Sequence, residues 1–317
     1  MRAFTFPGQG SQAPGMGKDL AEAFPAARAV FEEVDEALKQ KLSKLMFEGP
    51  AEELTLTANA QPALMAHSIA VLRVLESEAK LEFGRHVAFV AGHSLGEYSA
   101  LAAAGTFSLA DAARLLRLRG TAMQAAVPVG EGAMAALLGL DAPAAEAVAQ
   151  AARKTPDGKE EVCDFANDNA PGQVVVSGAK AAVERALDIA KAKGAKRAVL
   201  LPVSAPFHCA LMKPAADAMQ EALAKTTMAP PKVPLVANVT ASHVSDPAAI
   251  RDLLVRQVTG RVRWRECVSY MKAQGVVQLY ELGAGKVLSG LVKRIEPDVT
   301  GTALNGPADI EAFAKSL

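Results

Sequence analysis

Gly92-His93-Ser94-Leu95-Gly96 is a G-x-S-x-G pattern set between an apolar run, Val87 to Ala91, and an alanine-rich helical pattern that reaches Ala104. Glycine on both flanks lets a strand turn into a helix so sharply that the two backbones nearly touch, which pushes the Ser94 hydroxyl out of the fold. The first free N–H groups of the helix then face any anion that forms beside that oxygen. This arrangement suits a nucleophilic serine beside a tetrahedral oxyanion, the alternative being an ordinary Gly/Ser turn.

Such a serine needs a base, and the chain has only five histidines. His67 falls within a helical apolar pattern, His86 and His243 sit at loop edges, and His93 adjoins the nucleophile, where neighbouring side chains diverge. His208 remains, in the extended, proline-punctuated stretch Ser204-Ala205-Pro206-Phe207-His208. Residue counting leaves it as either the base or a surface loop histidine. Arg119 has two readings as well. It flanks the apolar stripe Leu109, Ala112, Ala113, Leu116 and Met123, so it either snorkels or pairs internally, or else it holds an anionic group of a substrate.

The elements that must position these residues alternate. Arg2 to Phe6 reads as a buried strand entering a glycine-rich loop, Pro7 to Gln12, and helices are expected over Lys18 to Phe24, Pro25 to about Leu42, and Pro62 to about Ala79 with Pro62 in the first turn. Ser108-Leu109-Ala110-Asp111 opens a capped helix to about Ala126. From Ala133 to Val203 the order is βαββαβ, the split arrangement of a ferredoxin-like unit, bounded by Pro128, Gly130 and Gly132 before it and Pro202 and Pro206 after it. Beyond Ser204 strands and helices alternate again, which implies an α/β fold with a mostly parallel sheet covered on both faces.

Composition narrows the partners. Lys plus Arg and Asp plus Glu both number 34 in 317 residues, so no global field favours nucleic acid or an anionic membrane. No apolar run reaches membrane-span length, and no signal-like segment precedes the first strand. Three dispersed cysteines fit reduced thiols in a cytoplasmic protein and form neither a disulfide framework nor a metal site. Gly8, Gly10 and Ala13 satisfy the loose G-x-G-x-x-A dinucleotide pattern without the strand and acid that it requires, and Gly283 to Lys286 lacks the spacing of a phosphate loop.

Taken together, FPGQGSQ (Phe6 to Gln12), QPA (Gln61 to Ala63), GHSLGEYSAL (Gly92 to Leu101), RLRG (Arg117 to Gly120), NDNAPGQ (Asn167 to Gln173), PFHCALMKPAA (Pro206 to Ala216), VRQVTGRVRW (Val255 to Trp264) and ELGAGKVLSGL (Glu281 to Leu291) resemble the malonyl-CoA:acyl carrier protein transacylase family over nearly the whole chain. The resemblance implies a hydrolase-like α/β core, residues 1–128 and 204–317, with an inserted ferredoxin-like (βαββαβ) subdomain, residues 129–203. It implies that Ser94 is the nucleophile, that His208 is the acid/base, and that Gln9 and the Leu95 N–H line the oxyanion site. On the substrate side it implies Arg119 as the clamp for a malonyl carboxylate and Gln257, near whose position a backbone carbonyl orients the histidine. Malonyl-CoA and acyl carrier protein are the expected partners in fatty acid biosynthesis, coenzyme A is part of a substrate, and no bound cofactor or metal is expected.

An acidic carrier protein would seek a basic patch, and two are candidates: Lys191, Lys193, Lys196 and Arg197, or Arg256, Arg261, Arg263 and Arg265. A serine esterase or thioesterase also uses G-x-S-x-G, but this chain has no HGGG-type loop and more than 100 residues follow His208. A non-catalytic carrier-binding module has no use for Ser94, His208 and Arg119 together.

Overall fold

Two short apolar strands, Arg2–Phe6 (β1) and Phe89–Gly92 (β2), lie at the centre of the main sheet in the computed structural model, which describes residues 1–317. They are almost wholly buried, as strands covered by helices on both faces must be. They run parallel with Phe6 opposite Gly92, so the loop after β1 and the turn after β2 leave the sheet side by side at its carboxyl edge. Ligands of open parallel sheets bind outside that edge.

Along the chain, β3 (Gly132–Leu138), β4 (Cys163–Ala170), β5 (Gln173–Ala179) and β6 (Arg197–Leu200) form a second sheet. β7 (Leu235–Ala237), β8 (Ser242–Val244), β9 (Gln278–Leu282) and β10 (Thr300–Leu304) return to the first. The main sheet has the order β10-β9-β1-β2-β7-β8 and is parallel except for β8, which pairs antiparallel with β7. The fold is therefore mixed α/β with a mostly parallel principal sheet. The second sheet is antiparallel, in the order β4-β5-β3-β6, and helices Ala142–Ala152 and Lys180–Ala192 bury their apolar faces with it in a separate cluster that includes Leu137, Val148, Phe165 and Val183. Two backbone bonds tie β4 to the main unit: Val262 N–H donates to the Ala166 carbonyl at 2.8 Å, and Asp168 N–H donates to the Val262 carbonyl at 2.9 Å.

Helix Thr57–Glu78 is buried on all sides through its first four turns and forms the spine of the main core. Its start differs from the sequence expectation. Pro62 lies inside the helix, which begins at Thr57; the polar residues Thr57, Asn59 and Gln61 disguise that first turn, and all three are buried. The helix expected from Pro25 to about Leu42 ends at Leu38, where Lys39 takes a left-handed φ of 51°, and a further short helix, Leu42–Glu48, follows it. The edge strand β8 and the final helix Pro307–Ala314 were not expected. No helix is long and apolar enough to cross a membrane.

The turn after β2 depends on its glycines. A Cβ on Gly92 would stand 1.9 Å from the Gly96 carbonyl carbon, and one on Gly96 would stand 2.3 Å from the Phe6 carbonyl oxygen. Both obstacles are backbone, so neither can rotate away. Gly96→Ala should therefore destabilise the protein by about 3 kcal/mol or more. In contrast, Gly290→Ala, in open space on helix Val287–Ile295, should be neutral or should stabilise by about 0.5–1 kcal/mol. Urea unfolding of both variants checks this, and equal stabilities would contradict the steric account.

Candidate active site

Ser94 occupies the turn between β2 and helix Gly96–Ala103 with φ of 53°, a left-handed conformation that costs free energy for any residue with a side chain. Asn238, just past β7, holds it there. Its Oδ1 accepts from Ser94 N–H at 2.9 Å, and its Nδ2 donates to the Gly92 carbonyl at 2.8 Å, so one side chain grips both sides of the turn. The Leu95 N–H that follows meets no acceptor in the protein, which leaves it free at the helix N-terminus.

His208 reaches the same point from the segment that returns from the second sheet, and its own backbone is left-handed, with φ of 57°. Its Nε2 lies 2.7 Å from Ser94 Oγ, and its Nδ1 lies 2.9 Å from the Gln257 carbonyl. A carbonyl only accepts, so Nδ1 carries the proton and the Nε2 lone pair faces the hydroxyl. Burial, with the Arg119 charge second, pushes the imidazole down to about 3, so the ring is neutral at ordinary pH. His93 turns away, with Nε2 2.8 Å from Asn169 Oδ1, and pins the turn to β4.

Arg119 is brought in by close packing of two helices. A Cβ on Gly120 would meet the Thr57 carbonyl oxygen at 2.4 Å, so glycine lets Leu109–Ala125 approach Thr57–Glu78 and sets Arg119 against Gln61. Its Nη1 donates to Gln61 Oε1 at 2.8 Å, and its Nη2 donates to Gln257 Oε1 at 2.8 Å and to Ser94 Oγ at 3.1 Å. The residue is 1% exposed, makes no ion pair, and leaves its Nε without a partner. The face of Tyr98 lies 5.7 Å from the guanidinium carbon.

Ser94, Leu95, His208, Arg119 and Gln9 all line one cavity of about 320 Å³ with an apolar wall that includes Met123, Val175 and Phe207. Gln9 sits on the exposed loop after β1, and its Nε2 donates to Thr57 Oγ1 at 3.1 Å. Gln257 is placed differently from the substrate side assigned to it. It is fully buried behind Arg119 and His208 and does not line the cavity, so it supports both without facing a ligand.

Sequence reasoning missed the supports. Glu97, 1% exposed, accepts from Asn238 N–H and from Gln257 Nε2, each at 2.5 Å. Burial lifts its carboxyl to about 7, while the N–H donors on its two oxygens and the nearby Arg119 charge favour the ionised form. The only signal for Glu97 and Asn238 was a polar residue within an apolar run. Of the two basic clusters, the second is used up internally: Arg256 pairs with Asp252, Arg261 with Glu146, Arg263 with Glu266 and Arg265 with Asp168. Lys193, Lys196 and Arg197 are exposed and unpaired.

Residues 3–277 match the acyl transferase domain family. The chain belongs to that family. As an acyl transferase domain it is 51% identical over 310 residues to the malonyl CoA-acyl carrier protein transacylase of Escherichia coli K12, covering 98% of this chain and 97% of that protein. The enzyme of the same name from Bacillus subtilis is 49% identical over 99% of this chain and 96% of its own. Among solved structures, an acyl-carrier-protein-S-malonyltransferase from Bartonella henselae superposes with a TM-score of 0.95 at 59% identity, covering 99% of this chain and 98% of that one. A malonyl-transacylase in complex with its type II PKS acyl-carrier protein superposes at 0.94 with 44% identity, covering 100% and 99%.

The buried neutral state of His208 has a measurable consequence. The folded ring holds off a proton down to about 3, whereas the unfolded ring takes one near its ordinary value of about 6.5. Below that value the unfolded chain binds the extra proton, so His208 withdraws stability as pH falls. Between pH 6 and 5 the wild type should lose about 1.4 kcal/mol per pH unit relative to His208→Gln. Urea unfolding of the two proteins across this range measures the difference, and parallel curves would contradict a neutral buried ring.

Proposed function

We propose that this acyl transferase moves a malonyl group from malonyl-CoA to the phosphopantetheine thiol of acyl carrier protein, in fatty acid biosynthesis in the cytoplasm. One observation carries the reading: an arginine buried without an ion-pair partner lies 3.1 Å from the hydroxyl of a serine paired with a neutral histidine. A cation without a direct ion-pair partner beside a nucleophile selects an acyl group that brings its own carboxylate. The relatives named above support the same substrate pair.

In the first half-reaction Ser94 Oγ attacks the thioester carbonyl and its proton passes to His208 Nε2. The oxyanion is held by the Leu95 N–H and the Gln9 amide. Collapse breaks the carbon–sulfur bond, coenzyme A leaves with the proton from His208, and a malonyl ester remains on Ser94. In the second half the carrier thiol gives its proton to His208 and attacks the ester, and Ser94 leaves and recovers the proton. The Gln257 carbonyl replaces the carboxylate of a triad, so the pair is a dyad. Coenzyme A enters as substrate, and these steps call for no bound cofactor or metal.

We read the antiparallel unit of βαββαβ order as a ferredoxin-like subdomain, residues 129–203, inserted into a hydrolase-like core, residues 1–128 and 204–317. The cavity then lies where the two meet, with Met134, Val175 and Leu201 from one side and Ser94 and Arg119 from the other. Free, unpaired Lys193, Lys196 and Arg197 make the first basic cluster the docking patch for an acidic carrier. Lys196→Glu with Arg197→Glu should slow transfer to the carrier but not to a small thiol, and the defect should shrink as salt rises. Equal slowing with both acceptors would assign the patch a structural role.

Malonyl-CoA alone should add one malonyl group to Ser94, read by peptide mass mapping. An adduct on Cys209 or Cys267, or an active Ser94→Ala protein, would remove the mechanism. Arg119→Ala should lower kcat/KM for malonyl transfer by tens-fold to thousands-fold, since removing one partner of a buried charge pair costs about 2–5 kcal/mol. Acetyl transfer should hold steady or rise. Arg119→Lys should rescue only part, because an ammonium lacks the planar two-pronged fork. Equal loss for malonyl and acetyl would make Arg119 structural.

A further inference from the structure

Glu97 plays no part in the steps above, yet its carboxyl group is sealed in the protein two residue positions beyond the reactive turn. Buried charges persist when they are paired or fully hydrogen-bonded. Glu97 touches no cation directly. Its Oε2 accepts from Gln257 Nε2 at 2.5 Å, and the other end of that same amide, Oε1, accepts from Arg119 Nη2 at 2.8 Å. The amide is thus a polarised bridge between the buried anion and the buried cation. Gln257 Nε2 also donates to the Ser94 carbonyl at 2.9 Å, and the Gln257 backbone carbonyl holds His208 Nδ1 at 2.9 Å.

We infer that Glu97 is a positioning residue for the transfer reaction, which orients the Gln257 amide and through it the Arg119 fork, the reactive turn and the His208 acceptor; the inference rests on the acyl-transfer reading above. An amide has one donating end and one accepting end, so its direction matters. With a carboxylate at position 97 only one direction works, since reversal would set oxygen against carboxylate and NH₂ against guanidinium. Glu97 also supplies the negative charge that compensates Arg119 at one amide's remove. That distance is useful. A carboxylate in direct contact would neutralise the guanidinium that the substrate's own carboxylate must reach, whereas one held behind a glutamine stabilises the cation without pairing with it and leaves Nε without a partner.

Glu97→Gln keeps size and reach but presents an NH₂ where an acceptor stood, which favours the reversed Gln257 amide and expels Arg119 from its place. Glu97→Asp keeps the acceptor-only charge at shorter reach. Both would be compared with wild type for acylation of Ser94 by malonyl-CoA and acetyl-CoA, after their melting curves establish the folded fraction. Per folded molecule, Glu97→Gln should lower malonyl kcat/KM about 10- to 100-fold, chiefly through KM, with a smaller loss for acetyl. Glu97→Asp should recover part of that loss. Unchanged kinetics in Glu97→Gln, or equal losses for the two acyl groups, would overturn the inference. A crystal structure of Glu97→Gln reads the arrangement independently of turnover: Arg119 displaced from Gln257 supports it, and Arg119 retained at 2.8 Å overturns it. Failure of the wild type to acylate would instead defeat the proposed function and leave this structural test standing.

Discussion

Burying one guanidinium sets the terms for everything around it. Arg119 is closed off from water, and a charge in that position needs donors matched by acceptors and a compensating anion. Supplying them takes four helices. Thr57–Glu78 brings Gln61, Pro247–Thr259 brings Gln257, Gly96–Ala103 brings Glu97, and Leu109–Ala125 carries the arginine itself. Three of these helices are near neighbours in the chain and the fourth, Pro247–Thr259, lies far beyond them, so the cation doubles as a check on tertiary assembly. Only when all four are seated does its hydrogen-bond set close.

The second constraint is steric and sits in the sheet. β1 and β2 lie in register so that Phe6 and Gly92 end together, and the first turn of helix Gly96–Ala103 passes directly over the end of β1. Glycines 92 and 96 permit that approach, and Asn238, just past the neighbouring strand β7, grips the turn. Ser94 and His208 both occupy left-handed backbone conformations. The two groups that face each other at 2.7 Å are therefore held by their surroundings in positions that the local chain does not favour.

Much of this could be read in the sequence because it rests on local pattern. The G-x-S-x-G turn, the Ser108 cap, the alternation of strands and helices and the βαββαβ order each leave a mark within a few residues. What escaped was non-local. Pro62 marks a helix start in most settings, but here a buried first turn precedes it, with Thr57 and Gln61 engaged by Gln9 and Arg119. The family resemblance marks Gln257 for a backbone carbonyl near its position, and nothing in one dimension indicates that its side chain also bridges Glu97 and Arg119. The Arg256 to Arg265 run illustrates the reverse error. Its density of charge suggests a binding surface, yet Asp252 and Glu266 pair with it locally and Glu146 and Asp168 pair with it from 115 and 97 positions away.

β6 ends the second sheet, with its outer rim unpaired and Leu200 45% exposed. An open rim of backbone donors and acceptors beside an apolar side chain invites a strand from another molecule to add on. Lys196 and Arg197 stand at the start of that rim and Pro202 just past its end, three residue types that discourage such pairing. The same positive charges that form the proposed docking patch thus also guard the sheet edge. A chain stripped of them would gain a tendency to stack edge to edge, and its association state would depend on concentration even where its fold did not.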